Sequence, residues 1–140
     1  MGPLVLVEGP CAHGGGFLRR ACGRPAVGQC VYCGERFCAD HGLRGEDYIE
    51  VCDRRACRAK LDDVHSHLRW RDTAAQSNRL SVCAQDECGD RMEHRCQRCR
   101  LMFCETHLRD RVVLDRSFDP PRRMPALLCA HCMARREIWD

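Results

Sequence analysis

Five side chains of the type that binds zinc recur in this chain at one fixed displacement of 66 residues. Cys22, Cys30, Cys33, Cys38 and His41 reappear as Cys88, Cys96, Cys99, Cys104 and His107. Gly23 and Phe37 recur with them, as Gly89 and Phe103. A repeat that preserves both residue type and spacing indicates a duplicated structural unit. The sequence therefore predicts two copies of one metal-organised module.

Three further cysteines complete each copy. They are Cys11, Cys52 and Cys57 in the first copy, and Cys83, Cys129 and Cys132 in the second. Seven cysteines and one histidine per copy are the ligands that two tetrahedral zinc sites require. All 14 cysteines are then used, and we predict four Zn²⁺ ions. One alternative is open, because His13 lies two residues from Cys11 and could replace it as the first ligand.

The composition agrees with metal as an element of folding. The chain has 140 residues, of which only 6% are aromatic, so each of two units of about 60 residues cannot bury a core of ordinary size. A structural zinc ion supplies on the order of 10 kcal/mol of apparent folding free energy. We therefore expect a small metal-stabilised α+β fold in which zinc binding and folding are one event.

The other use of so many cysteines is a disulfide framework, which belongs to oxidising compartments. The first ten residues lack the basic segment and the long apolar run of a secretory signal;. A histidine three residues after a cysteine in both copies has no role in a disulfide scaffold. Iron–sulfur ligation fits less well, because no Cys-x2-Cys-x2-Cys run occurs;. We expect a cytoplasmic zinc protein without a membrane-spanning segment.

One helix joins the two modules in the predicted architecture. Leu61, Val64 and Leu68 follow the helical period, and neither proline nor glycine interrupts residues 54–80;. We expect two tandem modules with this helix between them. The predicted boundaries are residues 1–57 for the first two-zinc module, 58–82 for the helical connector, and 83–140 for the second two-zinc module with a C-terminal helix.

The two copies differ most in the segment between their sixth and seventh ligands. In the first copy, Asp47–Val51 has the alternating, β-branched character of a short strand;. In the second copy, residues 112–114 and 126–128 predict strands on either side of a proline-rich loop at 117–125;. That loop is either a neutral extension or a contact surface that the first module lacks.

Eight ligands in a short unit can be shared between two ions in sequence or in an interleaved cross-brace. We favour the interleaved arrangement, because a Cys-x2-Cys knuckle followed by a hairpin and then by a strand-to-helix ligand pair is the treble-clef arrangement. A sequential arrangement stays open. The interleaved sites are Cys11, Cys22, Cys38 and His41; Cys30, Cys33, Cys52 and Cys57; Cys83, Cys88, Cys104 and His107; and Cys96, Cys99, Cys129 and Cys132.

The centre of each copy resembles a B-box zinc finger. The resemblance lies in the Cys-x2-Cys-x4-Cys-x2-His core that runs from Cys30 to His41 and from Cys96 to His107. The AN-type finger found beside ubiquitin-system domains is a looser match. The resemblance implies a module that binds proteins, often in ubiquitin-linked or scaffolding assemblies.

Catalytic motifs do not accompany the ligands. Neither His-Glu-x-x-His nor the deaminase pattern occurs;, and the predicted metal sites leave no cysteine as a nucleophile. We therefore expect a non-catalytic adaptor with a protein partner. Nucleic-acid binding is the alternative. It is opposed by the nearly balanced charge within each module and favoured by the arginines Arg54, Arg55, Arg58, Arg69, Arg71, Arg122, Arg123, Arg135 and Arg136. A thiol–zinc redox sensor is a third reading, and it requires exposed thiolates of low pKa.

Overall fold

The computed structural model describes residues 7–14, 20–45 and 49–139. These residues belong to two compact units, one ending at Val64 and the other beginning at His65. Within the described ranges, every sheet of the two units has two antiparallel strands, and helical segments accompany the sheets. The chain is thus a small α+β protein, as expected from its sequence.

The first unit contains two short hairpins and the start of a long helix. Its elements are β1 (Gly28–Gln29) paired with β2 (Arg36–Phe37), β3 (Gly42–Arg44) paired with β4 (Glu50–Cys52), and α1 (Arg55–Arg79). The helix agrees within one residue with the one expected over residues 54–80. The strand expected at Asp47–Val51 instead covers Glu50–Cys52, and residues 46–48 lie outside the described residues.

The second unit repeats this order and ends in two short helices. Its elements are β5 (His94–Arg95) paired with β6 (Met102–Phe103), a 3-10 turn at Glu105–His107, β7 (Leu108–Asp115) paired with β8 (Arg122–Cys129), α2 (Ala130–Ala134) and α3 (Arg136–Trp139). Among the described residues, no helix combines the length and the apolar character needed to cross a membrane.

The β7–β8 hairpin is longer than the sequence predicted. Its strands pair without interruption from Leu108 opposite Cys129 to Asp115 opposite Arg122. Residues 122–125 had been expected in a proline-rich loop, but they lie in β8. Pro125 is compatible with a strand there, because proline is tolerated where its missing N–H faces away from the ladder. The turn is therefore confined to residues 116–121.

Cysteine supplies much of the buried interior of each unit. Among the described residues of the first unit, five of the eight that are buried in its core are cysteines, and the others are Phe37, Val51 and Leu61. In the second, six of thirteen are cysteines. Phe37 and Phe103 are the largest fully buried side chains. Such a small apolar core agrees with the expectation that metal takes over part of its role.

The ring of Phe37 packs between two glycines of the first unit. A Cβ atom at Gly28 would lie 2.6 Å from Phe37 Cζ, and one at Gly42 would lie 2.2 Å from Phe37 Cδ2. Gly28 belongs to the first hairpin and Gly42 to the second, so both backbones approach one aromatic ring. Candidate ligands flank these hairpins, so this contact packs together the two hairpins that position them.

Candidate metal centres

Cysteine and histidine side chains converge in four clusters, and within each cluster the possible ligand atoms lie within 4.8 Å of one another. Site 1 is Cys11, Cys22, Cys38 and His41; site 2 is Cys30, Cys33, Cys52 and Cys57; site 3 is Cys83, Cys88, Cys104 and His107; site 4 is Cys96, Cys99, Cys129 and Cys132. Along the chain, ligand pairs of one site alternate with those of the other. The structure thus brings together all sixteen side chains singled out in the sequence, in the interleaved grouping.

The sulfur separations have the dimensions of a metal tetrahedron. Four Sγ to Sγ distances fall between 3.7 and 3.9 Å: Cys22–Cys38, Cys33–Cys52, Cys88–Cys104 and Cys99–Cys129. A zinc–sulfur bond of about 2.3 Å at tetrahedral angles places two sulfurs about 3.8 Å apart. The 14 cysteines all lie in the described ranges, and none of them forms a disulfide. The donor set and its spacing therefore fit zinc.

Both site histidines turn the same ring nitrogen toward the thiols. His41 Nδ1 lies 3.5 Å from Cys11 Sγ and 3.4 Å from Cys38 Sγ. His107 Nδ1 lies 3.0 Å from Cys104 Sγ. A tight turn produces this ring orientation. In that turn, the backbone N–H of each histidine donates to the backbone carbonyl of the cysteine three residues earlier. The Cys-x2-His spacing thus presents a thiol and Nδ1 to one ion.

Cys11, and not His13, takes the first ligand position of site 1. The ring of His13 instead stacks on His41, with 3.9 Å between centroids and 12° between planes. Its Nδ1 lies 2.9 Å from Asp53 Oδ1. That carboxylate oxygen is buried and has no hydrogen bond of good geometry among the described residues. Asp53 and His13 therefore support the face of a candidate ligand, a role that the sequence analysis missed.

Each knuckle is hydrogen-bonded to the strand that ends at the third cysteine of the same site, which is Cys52 in β4 and Cys129 in β8. In the first unit, Val31 N–H donates to the Glu50 carbonyl at 2.9 Å, and Gln29 N–H donates to Glu50 Oε2 at 3.0 Å. In the second, Gln97 N–H donates to the Leu127 carbonyl at 3.0 Å, and Leu127 N–H donates to Gln97 Oε1 at 3.1 Å. The second hydrogen bond uses a side chain in both units. That side chain is Glu50, on the strand, in the first unit and Gln97, in the knuckle, in the second.

Local hydrogen bonds favour the thiolate form at several of the cysteines, among them Cys30 and Cys104. Burial opposes ionisation of Cys30, but backbone N–H groups, led by that of Cys52, outweigh it and lower the pKa of Cys30 to about 6. In site 3, the Thr106 hydroxyl is the main cause that lowers the pKa of Cys104 to about 6. Its oxygen lies 3.2 Å from Cys104 Sγ. Thiolates are the form that binds zinc.

Site 4 is the most enclosed cluster, since all four of its cysteines are buried. Hydrogen bonds from Cys129 and then from Cys132 lower the pKa of Cys96. The contacts with Cys129, Cys96 and Cys99 raise the pKa of Cys132. The neighbouring thiols thus stabilise a thiolate at Cys96 and oppose ionisation of Cys132. A divalent cation among the four sulfurs would remove that opposition, because metal binding displaces the remaining thiol protons.

Other histidines lie outside the four sites. In the second unit, His131 stacks on Trp70 with 3.7 Å between ring centroids, and its Nε2 lies 2.9 Å from His67 Nδ1. Because His131 adjoins Cys132, the stack holds the start of α2 against α1.

Comparisons with protein-family models, with curated proteins and with solved structures found no match. An assignment of function therefore depends on the four clusters of cysteine and histidine side chains. They support a small zinc-binding protein.

Proposed function

We propose that this chain is a non-catalytic adaptor in which four Zn²⁺ ions hold two cross-brace modules of the treble-clef type. The interleaved ligand grouping supports the cross-brace part of this proposal, because the ligand pairs of the two sites alternate along each module. The B-box-like core of each copy agrees with a protein-binding role. A cytoplasmic location and a partner from the ubiquitin system belong to the same proposal.

The closed ligand sets support a structural role for the metal. Each cluster already contains four protein ligands, whereas a catalytic zinc ion keeps one coordination position for water or substrate. With the metal in a structural role, we assign the function of the protein to the binding of a partner at its surface.

The β7–β8 hairpin is the structural feature that supports a partner-binding role. His41 and Cys52 are 11 positions apart, whereas His107 and Cys129 are 22 positions apart, so the second hairpin extends well beyond the shared framework. The extension presents apolar side chains to solvent: Val112, Leu114, Phe118 and Met124.

The tip of this hairpin has the composition of an interface. The Arg122 guanidinium lies over the Phe118 ring, 5.0 Å from its centroid. Phenylalanine, methionine and arginine are enriched in protein–protein interfaces. A hairpin held at its base by site 4 also loses little conformational freedom on binding. We therefore assign partner recognition to the tip, around Phe118 and Met124.

A photo-crosslinking experiment tests this role. A photoreactive residue at Phe118 should capture a partner, and the same residue at exposed Val27 of the first unit is the matched control. The affinity of the captured partner is then measured for the full chain and for a variant whose β7–β8 hairpin is shortened to the first unit's spacing. We expect unchanged zinc content and weaker binding. Undiminished affinity would contradict the proposal, and capture of a nucleic acid with steeply salt-dependent affinity would favour the alternative.

A further inference from the structure

The hydrogen bonds of Leu127 show which backbone groups of β7 and β8 point toward each other and which point outward. We call this alternation the hydrogen-bonding phase of the pair. Both Leu127 N–H and Leu127 C=O bond to Gln97, so they point away from β7. In an antiparallel pair, directly opposed residues share one phase, and the phase alternates along each strand. Asp110 lies opposite Leu127. The backbone groups of Asp110, Val112 and Leu114 therefore also point away from the ladder.

The outer edge of β8 is occupied or blocked. Gln97 takes both backbone groups of Leu127, and Cys129 N–H lies 3.4 Å from Cys96 Sγ. Pro125 lies opposite Val112 and is in the same outward phase, so this edge lacks one donor.

The outer edge of β7 is different. Among the described residues, no hydrogen bond uses the outward N–H and C=O groups of Asp110, Val112 and Leu114. Val112 is 59% exposed and Leu114 is 52% exposed. An open strand edge with apolar side chains is a template for another strand.

We propose that β7 pairs antiparallel with β7 of a second copy of this chain, with Val112 at the centre of a four-stranded sheet. In this register, Asp110 lies opposite the partner's Leu114, and the two Val112 residues face each other. All three residues present their outward groups, so the pairing forms six backbone hydrogen bonds. The arrangement is isologous, which is the commonest form of self-association.

Charge complementarity is the reason to choose a second copy as the occupant. The same register places Arg109 opposite the partner's Asp115, twice in one dimer. Opposite charges stabilise directly opposed strand residues. Asp115 Oδ1 accepts from the Ser117 N–H and hydroxyl, which leaves Oδ2 for the arginine.

Neighbouring registers are less favourable. Shifting the pairing by two residues in one direction places Arg111 opposite the partner's Arg111, and like charges there are destabilising. The opposite shift places Asp110 opposite the partner's Arg116, which lies beyond the end of β7. Only the two pairs between Val112 and Leu114 then form backbone hydrogen bonds. The pairing uses the edge of β7, so it does not rest on the partner binding proposed for the tip.

Sedimentation velocity of the zinc-loaded full chain tests this proposal. An interface of this size falls below about 1,200 Å² and is weak, so the measurement covers concentrations from about 1 µM to about 1 mM. We expect a concentration-dependent dimer. Arg109→Asp alone and Asp115→Arg alone each create two like-charge pairs, and each should weaken the dimer about tenfold.

Mixing these two variants gives the decisive result. In a heterodimer, both like-charge pairs become attractive, so the equimolar mixture should dimerise as strongly as the unmodified chain. Arg95→Asp, an exposed charge reversal on β5, is the matched control and should leave dimerisation unchanged. A chain that is monomeric at every concentration overturns the proposal and leaves the edge to a strand of another protein. A mixture no stronger than the single variants also overturns it.

Discussion

Gly34 and Arg100 occupy the same left-handed backbone position in the two knuckles, with φ angles of 75° and 66°. In each unit this residue's N–H donates to the carbonyl of the first knuckle cysteine, at 2.9 Å in one and 3.0 Å in the other. The turn therefore requires the conformation, whichever residue fills it. Glycine adopts it without steric cost, whereas arginine does not.

Replacing Arg100 with glycine should stabilise the second unit by about 1 kcal/mol. Arg100 is exposed, so the substitution removes backbone strain and little packing. Denaturant unfolding of the zinc-loaded protein measures the gain. Arg95→Gly in β5 is the control, and it should destabilise the unit because glycine weakens a strand. A loss of stability in Arg100→Gly would show that the arginine side chain, and not its backbone, matters at this position.

The sequence predicted what depends on local spacing. The fixed displacement of 66 residues identified ten of the sixteen side chains that cluster. The other six followed from the number of cysteines, because a tetrahedral site restricts both ligand type and number. The interleaved grouping was favoured rather than derived, since both groupings use the same ligands.

Contacts between distant segments were not predictable from the sequence. Asp53 supports His13 and Gln97 binds Leu127 through side chains with no periodic pattern. The length of β7 and β8 was also missed, because residues 122–125, including Pro125, were assigned to the proline-rich loop. Its outward phase, which makes it compatible with β8, depends on register.

Loss of a site 1 ligand should release the zinc of site 2 as well. Cys38→Ala should reduce the zinc content from four ions to about two, because the two sites hold the same hairpins and metal binding is coupled to folding. Metal analysis measures the stoichiometry, and amide resonances of the second unit should persist. A reproducible loss of one ion would contradict the interleaved grouping. Cys104→Ala is the matched variant for the second unit.

Asn78, near the end of α1, should be essential to the second unit. Its Nδ2 donates to the carbonyls of Val82 at 3.0 Å and Met102 at 2.9 Å, and its Oδ1 accepts from Met102 N–H at 2.8 Å. The amide thus bonds β6 as a neighbouring strand would. Asn78→Ala should cost about 2 kcal/mol in the free energy of unfolding.

Asn78→Asp distinguishes these hydrogen bonds from simple packing. Aspartate keeps the acceptor for Met102 N–H but places a carboxylate oxygen against two carbonyls. It should destabilise the second unit at least as much as alanine does, as measured by denaturant unfolding at neutral pH. If aspartate preserved full stability, the two donated hydrogen bonds would contribute nothing.

Adding one methyl group at Gly42 should destabilise the first unit. The new Cβ would lie 2.2 Å from Phe37 Cδ2, and overpacking a close contact of this kind costs about 1–3 kcal/mol. Thermal unfolding of zinc-loaded Gly42→Ala measures the loss. Gly89→Ala is the control, because no atom lies within 4 Å of a Cβ there. If the Phe37 ring is the cause, Phe37→Leu combined with Gly42→Ala should cost less than the sum of the two single changes. Strictly additive losses would mean that the methyl group acts elsewhere than on the ring.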